Sequence, residues 1–154
     1  MAVSLSNIVK NREIGPPRLF VYSSHGIGKT TFAANAPKPI FVLTEDGLGL
    51  LKVDHFPLAQ SEGDVIDALG TLYQEEHDYQ TIVIDSLDWL DNLIWADVNK
   101  THEAKDLAYG KGAVIVAERW RSILDGLNAL RNDRGMAVIL LAHCQIKRFD
   151  SPEV

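Results

Sequence analysis

Four short runs of apolar residues punctuate the chain: Leu19-Phe20-Val21-Tyr22, Ile40-Phe41-Val42-Leu43, Ile82-Val83-Ile84 and the stretch 137–142. Each is almost continuously hydrophobic, as suits a strand buried on both faces of a parallel sheet, so strands are expected over 18–22, 40–43, 81–85 and 137–142. Between them the period changes to that of a helix. A first helix is expected over 29–35, stopping before Pro37 and Pro39. Ser61-Glu62-Gly63-Asp64 opens a second, with Val65, Leu69, Leu72 and Tyr73 on one face. Leu87, Leu90, Ile94 and Val98 mark a third, and Val116, Trp120, Ile123, Leu124, Leu127 and Leu130 a long fourth that ends near Gly135. Residues 105–112 read as a loop. Residues 1–15 read as peripheral, with a short helix over 5–10 before Gly15-Pro16-Pro17 breaks regular structure. Strands alternating with helices predict an α/β domain over 16–154, with a mostly parallel central sheet covered on both sides. Ligands of such sheets bind at the carboxyl ends of the strands.

Composition narrows this picture without redirecting it. The chain has 154 residues, 46% of them hydrophobic, enough for one domain with a real core. Its longest apolar run, 137–142, is far too short to cross a bilayer, and its first residues lack the pattern of a secretory signal. Cys144 is the only cysteine, so no internal disulfide can form, and a cytoplasmic setting is expected. His25, His55, His77, His102 and His143 show no paired metal-ligand spacing. The net charge of −6 argues against a surface that grips nucleic acid all over. Any contact with DNA is expected to be local and salt-sensitive.

The chemistry gathers at the strand ends. After the first strand comes Ser23-Ser24-His25-Gly26-Ile27-Gly28-Lys29-Thr30, followed by Thr31 and a helix. Strand, glycine loop, Lys-Thr and helix form a phosphate-binding loop, whose backbone N–H groups converge on phosphate oxygens at a helix N-terminus. Lys29 is placed to reach the β- and γ-phosphates and the Thr30 hydroxyl to ligate Mg²⁺, with Thr31 a weaker alternative. Ser23 stands where the usual pattern has a glycine, which its backbone tolerates if φ is negative. Asp85 ends an apolar strand, where a carboxylate can hold Mg²⁺ opposite Thr30 or simply cap the helix that follows. Glu45, with Asp46 as its competitor, sits where a group could orient the attacking water, or else in a solvated acidic loop. His143 and Gln145 end the last strand, where a polar side chain can sense the γ-phosphate or merely satisfy local backbone groups.

These segments together resemble the RecA-like ATPase core: Gly-Ile-Gly-Lys-Thr-Thr, Phe-Val-Leu-Thr-Glu-Asp-Gly-Leu, Ile-Val-Ile-Asp-Ser-Leu and Val-Ile-Leu-Leu-Ala-His-Cys-Gln-Ile-Lys. More closely, the chain is similar to small phage-encoded nucleotide-binding proteins of that superfamily, recombinases or single-strand annealing proteins. The segment Tyr109-Gly110-Lys111-Gly112 and the ending Lys147-Arg148-Phe149-Asp150-Ser151-Pro152-Glu153 also match that group. The resemblance implies a three-layer P-loop NTPase fold and an ATP- and Mg²⁺-dependent hydrolase acting in a bacterial host's cytoplasm. ATP rather than GTP is part of what it implies. Glu45 would activate water, Asp85 would be the Walker B carboxylate, and His143 would sense the γ-phosphate. Single-stranded DNA would meet two loops, 105–112 and 146 onward. Lys105, Tyr109, Lys111, Lys147 and Arg148 would make the contacts there, unless these are ordinary surface residues. It further implies homo-oligomers and a single-strand-binding protein as partner. Relatives continue into a further strand and helix, so the sheet is expected to lack its C-terminal strands. The rival expectation is a nucleotide-binding interaction module without turnover.

Overall fold

Four apolar runs and one short extension build the sheet. The computed structural model describes residues 4–8 and 14–144. Its strands are β1 (Arg18–Ser23), β2 (Pro39–Leu43), β3 (Asp54–His55), β4 (Thr81–Asp85) and β5 (Ala137–His143). They lie in the order β1-β5-β4-β2-β3, and every neighbouring pair is parallel. The two-residue β3, too short to show a hydrophobic pattern, is an addition to the four expected strands. Pro39 opens β2, a position where a missing N–H does no harm.

The helices are α1 (Lys29–Ala34), α2 (Glu62–Gln74), α3 (Leu87–Thr101), α4 (Ala104–Leu107) and α5 (Lys111–Asp133). Ser61 caps α2 through a capping box with Asp64, as the polar opening of that segment suggests. Residues 105–112 are not a loop: α4, a 3₁₀ turn over Ala108–Gly110 and the start of α5 occupy them. Gly112 is buried there in close packing, where a Cβ on it would lie 3.3 Å from Trp95 and 3.5 Å from Leu107. Of the helix expected over 5–10, Leu5–Asn7 forms a 3₁₀ turn and the last two residues lie outside the described ones.

Helices α2, α3 and α5 cover one face of the sheet. Val65, Leu69, Leu72, Leu90, Ile94, Val98, Val116, Ile123, Leu127 and Leu130 pack there against Ile40, Val42, Ile82, Ile84 and Val138. Three positions assigned to the buried faces are less enclosed: Tyr73 and Leu124 are exposed and Trp120 is half-buried. Tyr73 instead donates its hydroxyl to Asp133, and Trp120 its indole N–H to Asp91. The opposite face buries Phe41, Leu43, Val83, Ile139 and Leu141 beneath Ala33 of α1 and the loop residues Leu48 and Val53. No helix of the described residues is long and apolar enough to cross a membrane.

Candidate functional site

Parallel pairing brings the carboxyl ends of β1, β2, β4 and β5 to one rim of the sheet, and the chemistry-bearing residues come with them. The register Ser23↔His143, Leu43↔Asp85 and Asp85↔Leu141 fixes their relative heights. Because β5 lies between β1 and β4, His143 stands between the glycine loop and Asp85. A cleft of about 330 Å³ opens here, lined by His25, Gly26, Gly28, Lys29, Thr30, Thr31, Glu45, Gly47, Leu48, Leu51, Asp85 and His143.

The loop conformation follows from its glycines. Gly26 and Gly28 adopt φ of 79° and 98°, in the left-handed region where a side chain is strained. Ser23, at the position where a glycine is usual, is the last residue of β1 and has no positive φ. Its serine is therefore compatible with the backbone. Lys29, the first residue of α1, is buried, and its ammonium is held on all sides. It donates to the carbonyls of Ser23 (3.1 Å) and Ser24 (3.0 Å), to Ser23 Oγ (3.1 Å) and to His143 Nδ1 (3.1 Å). A buried cation requires such compensation. Its partners are nearly all loop acceptors, which negatively charged phosphate oxygens can replace. Ile27 is 67% exposed and does not line the cleft.

On the far side of the loop, Thr30 donates its hydroxyl to Asp85 Oδ2 at 2.7 Å. Asp85 is the last residue of β4, and the N-cap position of α3 is held by Ser86, so Asp85 is not the cap. Burial is the main influence on the Asp85 carboxyl and pushes its pKa up, with Glu45 adding repulsion; Thr30, His143 and Lys29 offset this only in part. A buried carboxyl short of positive charge, 2.7 Å from a hydroxyl, fits a small hard cation. Mg²⁺ is commonly held by one or two protein oxygens, with water and substrate phosphate completing its shell. Among the described residues no group of three or more His, Cys, Asp or Glu side chains is placed to hold a metal without such help.

Glu45 lies just past β2, and its Oε1 accepts from His143 Nε2 at 2.8 Å. Burial opposes its ionisation, but the hydrogen bond from His143 and the other groups around it outweigh that, and its pKa is lowered. The Ser86 hydroxyl is buried and closes no hydrogen bond in this geometry. Glu45 is therefore a carboxylate at neutral pH, able to accept a proton or orient a water. Asp46, its competitor in the sequence, is exposed and lines no part of the cleft.

Thr44 and Asp88 support the site without any motif signal, and His25, expected only as part of the phosphate loop, has a further contact. Thr44 bridges Ser86 through its hydroxyl, donating to the Ser86 carbonyl (2.6 Å) and accepting from its N–H (2.8 Å). Asp88 accepts the backbone N–H of His143 at 2.6 Å, tying α3 to the tip of β5. His25 lies with its ring stacked on that of His143, centroids 3.7 Å apart. Asp88 reads in sequence only as an acid in the first turn of a helix, and nothing in the spacing pairs residue 25 with residue 143.

The residues expected to meet DNA are placed elsewhere. Lys105, Tyr109 and Lys111 are exposed on α4, the 3₁₀ turn and the start of α5, and none lines the cleft. Lys105 pairs with Glu103 at 2.7 Å, while Tyr109 is fully exposed with φ of 55°. Gln145, Lys147 and Arg148 lie outside the described residues.

Residues 15–154 match a family model described as an AAA domain. No curated protein matches the chain.

Proposed function

The chain belongs to that family, a group of AAA-type P-loop ATPases, and from this footing we propose that it binds ATP with Mg²⁺ in the strand-end cleft and hydrolyses it while engaged with single-stranded DNA in phage recombination. The gathering of Lys29, Thr30, Glu45 and Asp85 around one cleft carries the reading. Lys29 exchanges its loop carbonyls for β- and γ-phosphate oxygens and neutralises the charge that builds as the terminal phosphoryl group leaves. Thr30 and Asp85 would hold Mg²⁺, which when bound shields the phosphate oxygens. Glu45 orients a water in line with the γ-phosphate and accepts its proton. Leu48 and Leu51 give the cleft an apolar portion of its wall.

The DNA part of the proposal rests on Tyr109 and on the resemblance. An exposed tyrosine ring offers a stacking surface for a base, and Lys111 lies two positions away with positive charge, while Lys105 on the other side is paired with Glu103. Assembly into homo-oligomers and a single-strand-binding partner complete the reading. The net charge of −6 confines DNA contact to this local patch and makes it weaken steeply with salt.

One observation favours a second reading, a nucleotide-binding module without turnover. The Glu45 carboxylate is engaged by His143 rather than left open to water. Phosphate release, measured with ATP and Mg²⁺ in the presence and absence of single-stranded DNA, separates the two. Release stimulated by DNA supports the first, and tight binding with no release supports the second. Lys29→Ala is expected to weaken ATP binding by at least about a hundredfold, the loss of a charge-assisted phosphate contact in a buried setting. Unchanged affinity in that variant would remove the site altogether. Glu45→Gln is expected to lower kcat by about a hundred- to a thousandfold while ATP affinity stays within about threefold.

A further inference from the structure

His143 is held from both ring nitrogens. Its Nδ1 lies 3.1 Å from the Lys29 ammonium and its Nε2 lies 2.8 Å from Glu45 Oε1. An ammonium can only donate, so Nδ1 must be the accepting nitrogen. The ring proton then belongs on Nε2, where it is donated to the Glu45 carboxylate. A neutral imidazole of one tautomer thus bridges the loop lysine and the carboxylate proposed above to orient water. Both bonds depend on the direction of the ring. Asp88 fixes the backbone of His143 through its N–H, but not the side-chain torsions.

The other histidine of the cleft lies against the ring's face. The His25 imidazole stacks on His143 with centroids 3.7 Å apart and planes inclined by 15°. His25 belongs to the glycine loop and immediately precedes Gly26. We propose that His25 is a positioning residue: its ring face holds His143 in the plane that joins Lys29 to Glu45, so that the state of the phosphate loop sets the orientation of the group that holds the water-activating carboxylate. The catalytic part of this rests on the ATPase reading above; the positioning part rests on the stacking and the two ring bonds alone.

Two measurements keep those parts distinct. Nitrogen-15 NMR of the histidine rings in the nucleotide-free protein reports the tautomer of His143 whether or not ATP is turned over. The wild-type protein is expected to show the Nε2–H form, His25→Ala a mixture of tautomers, and His25→Phe, which keeps an aromatic face, the wild-type form again. In steady-state hydrolysis at saturating ATP, His25→Ala is expected to lower kcat about tenfold, as misorientation of a catalytic group does. His25→Phe should recover most of the lost kcat. An unchanged His143 tautomer in His25→Ala overturns the proposal. So does a His25→Phe protein as impaired as His25→Ala, since the nitrogens of His25 and not its face would then matter. A wild-type protein that releases no phosphate defeats the ATPase reading, and the NMR comparison still decides the positioning role.

Discussion

On one face of the sheet, three helices of 13, 15 and 23 residues bury a continuous layer of branched side chains. On the other, a helix of six residues contributes Ala33 as its one buried apolar side chain, and loop residues Leu48 and Val53 complete the cover. The difference follows from what each face must do. Helix α1 begins inside the phosphate loop and is stopped by Pro37, so its length is set by the ligand site at one end and by proline at the other. Six residues are too few to be helical alone, and α1 holds its shape because the sheet supports it. The thick-face helices α2, α3 and α5 contribute no residue to the lining of the cleft; they reach its rim where Asp88 of α3 anchors the His143 backbone. Stability is concentrated on one side and chemistry on the other, and the rim between them carries Asp85 and His143.

Single substitutions should reveal this inequality. Ile94, on α3, is fully buried against the sheet. Ile94→Ala removes three methylene equivalents from a close-packed layer and is expected to cost about 3 kcal/mol in urea unfolding. Ala33→Gly is the matching change on α1, where the loss of helix propensity is expected to cost about 1 kcal/mol. Equal losses, or a larger one at Ala33, would mean that the thin face carries as much of the fold as the thick one. Neither variant removes a group that lines the cleft. Ala33→Gly loosens the helix that Lys29 and Thr30 begin, so ATP binding should weaken measurably there and stay near wild type in Ile94→Ala under conditions where both are folded.

How much of this the sequence disclosed depends on the range of the interaction. The strands are legible because burial on both faces leaves an unbroken apolar run, as in Ile82-Val83-Ile84. The start of α2 is legible because Ser61 and Asp64 settle it between themselves. Lys29, Thr30, Glu45 and Asp85 could be gathered in advance because a parallel sheet puts all its carboxyl ends on one rim. Features set by distant partners were not legible. The segment over 105–112 looks polar and glycine-rich, yet Gly112 is buried in close packing against Trp95. Tyr73 follows the helical period but turns outward to Asp133, sixty positions away. The bridge from Lys29 to His143 spans 114 positions and exists only because β1 and β5 are paired with Ser23 opposite His143.

The smallest expected effect bears on a weakness within the thick face. Glu62, at the first position of α2, has a side chain only 3% exposed. One of its oxygens has no hydrogen-bond partner among the described residues, and the other lies 3.5 Å from Arg119. Burial is the largest influence and raises its pKa; Arg119 lowers it, Asp97 raises it again, and the balance stays above the ordinary value of 4.5. The folded protein therefore binds a proton at Glu62 more readily than the unfolded chain does. That contribution to stability is fully present below pH 4.5 and is lost as pH rises through the raised folded value. Glu62→Gln keeps the shape and removes the ionisation, so its stability relative to wild type should increase as pH is raised from 4 to 7, read as the difference between their urea midpoints. A difference that stays flat would show that Arg119 fully compensates the charge. Asp85 gives the contrast, since it too is buried with its pKa raised, but at the open rim. Added Mg²⁺ and ATP should stabilise the fold through Asp85 and leave the pH-dependent difference at Glu62 unchanged. A change in that difference on adding ligand would mean that the two faces are coupled more tightly than their unequal packing implies.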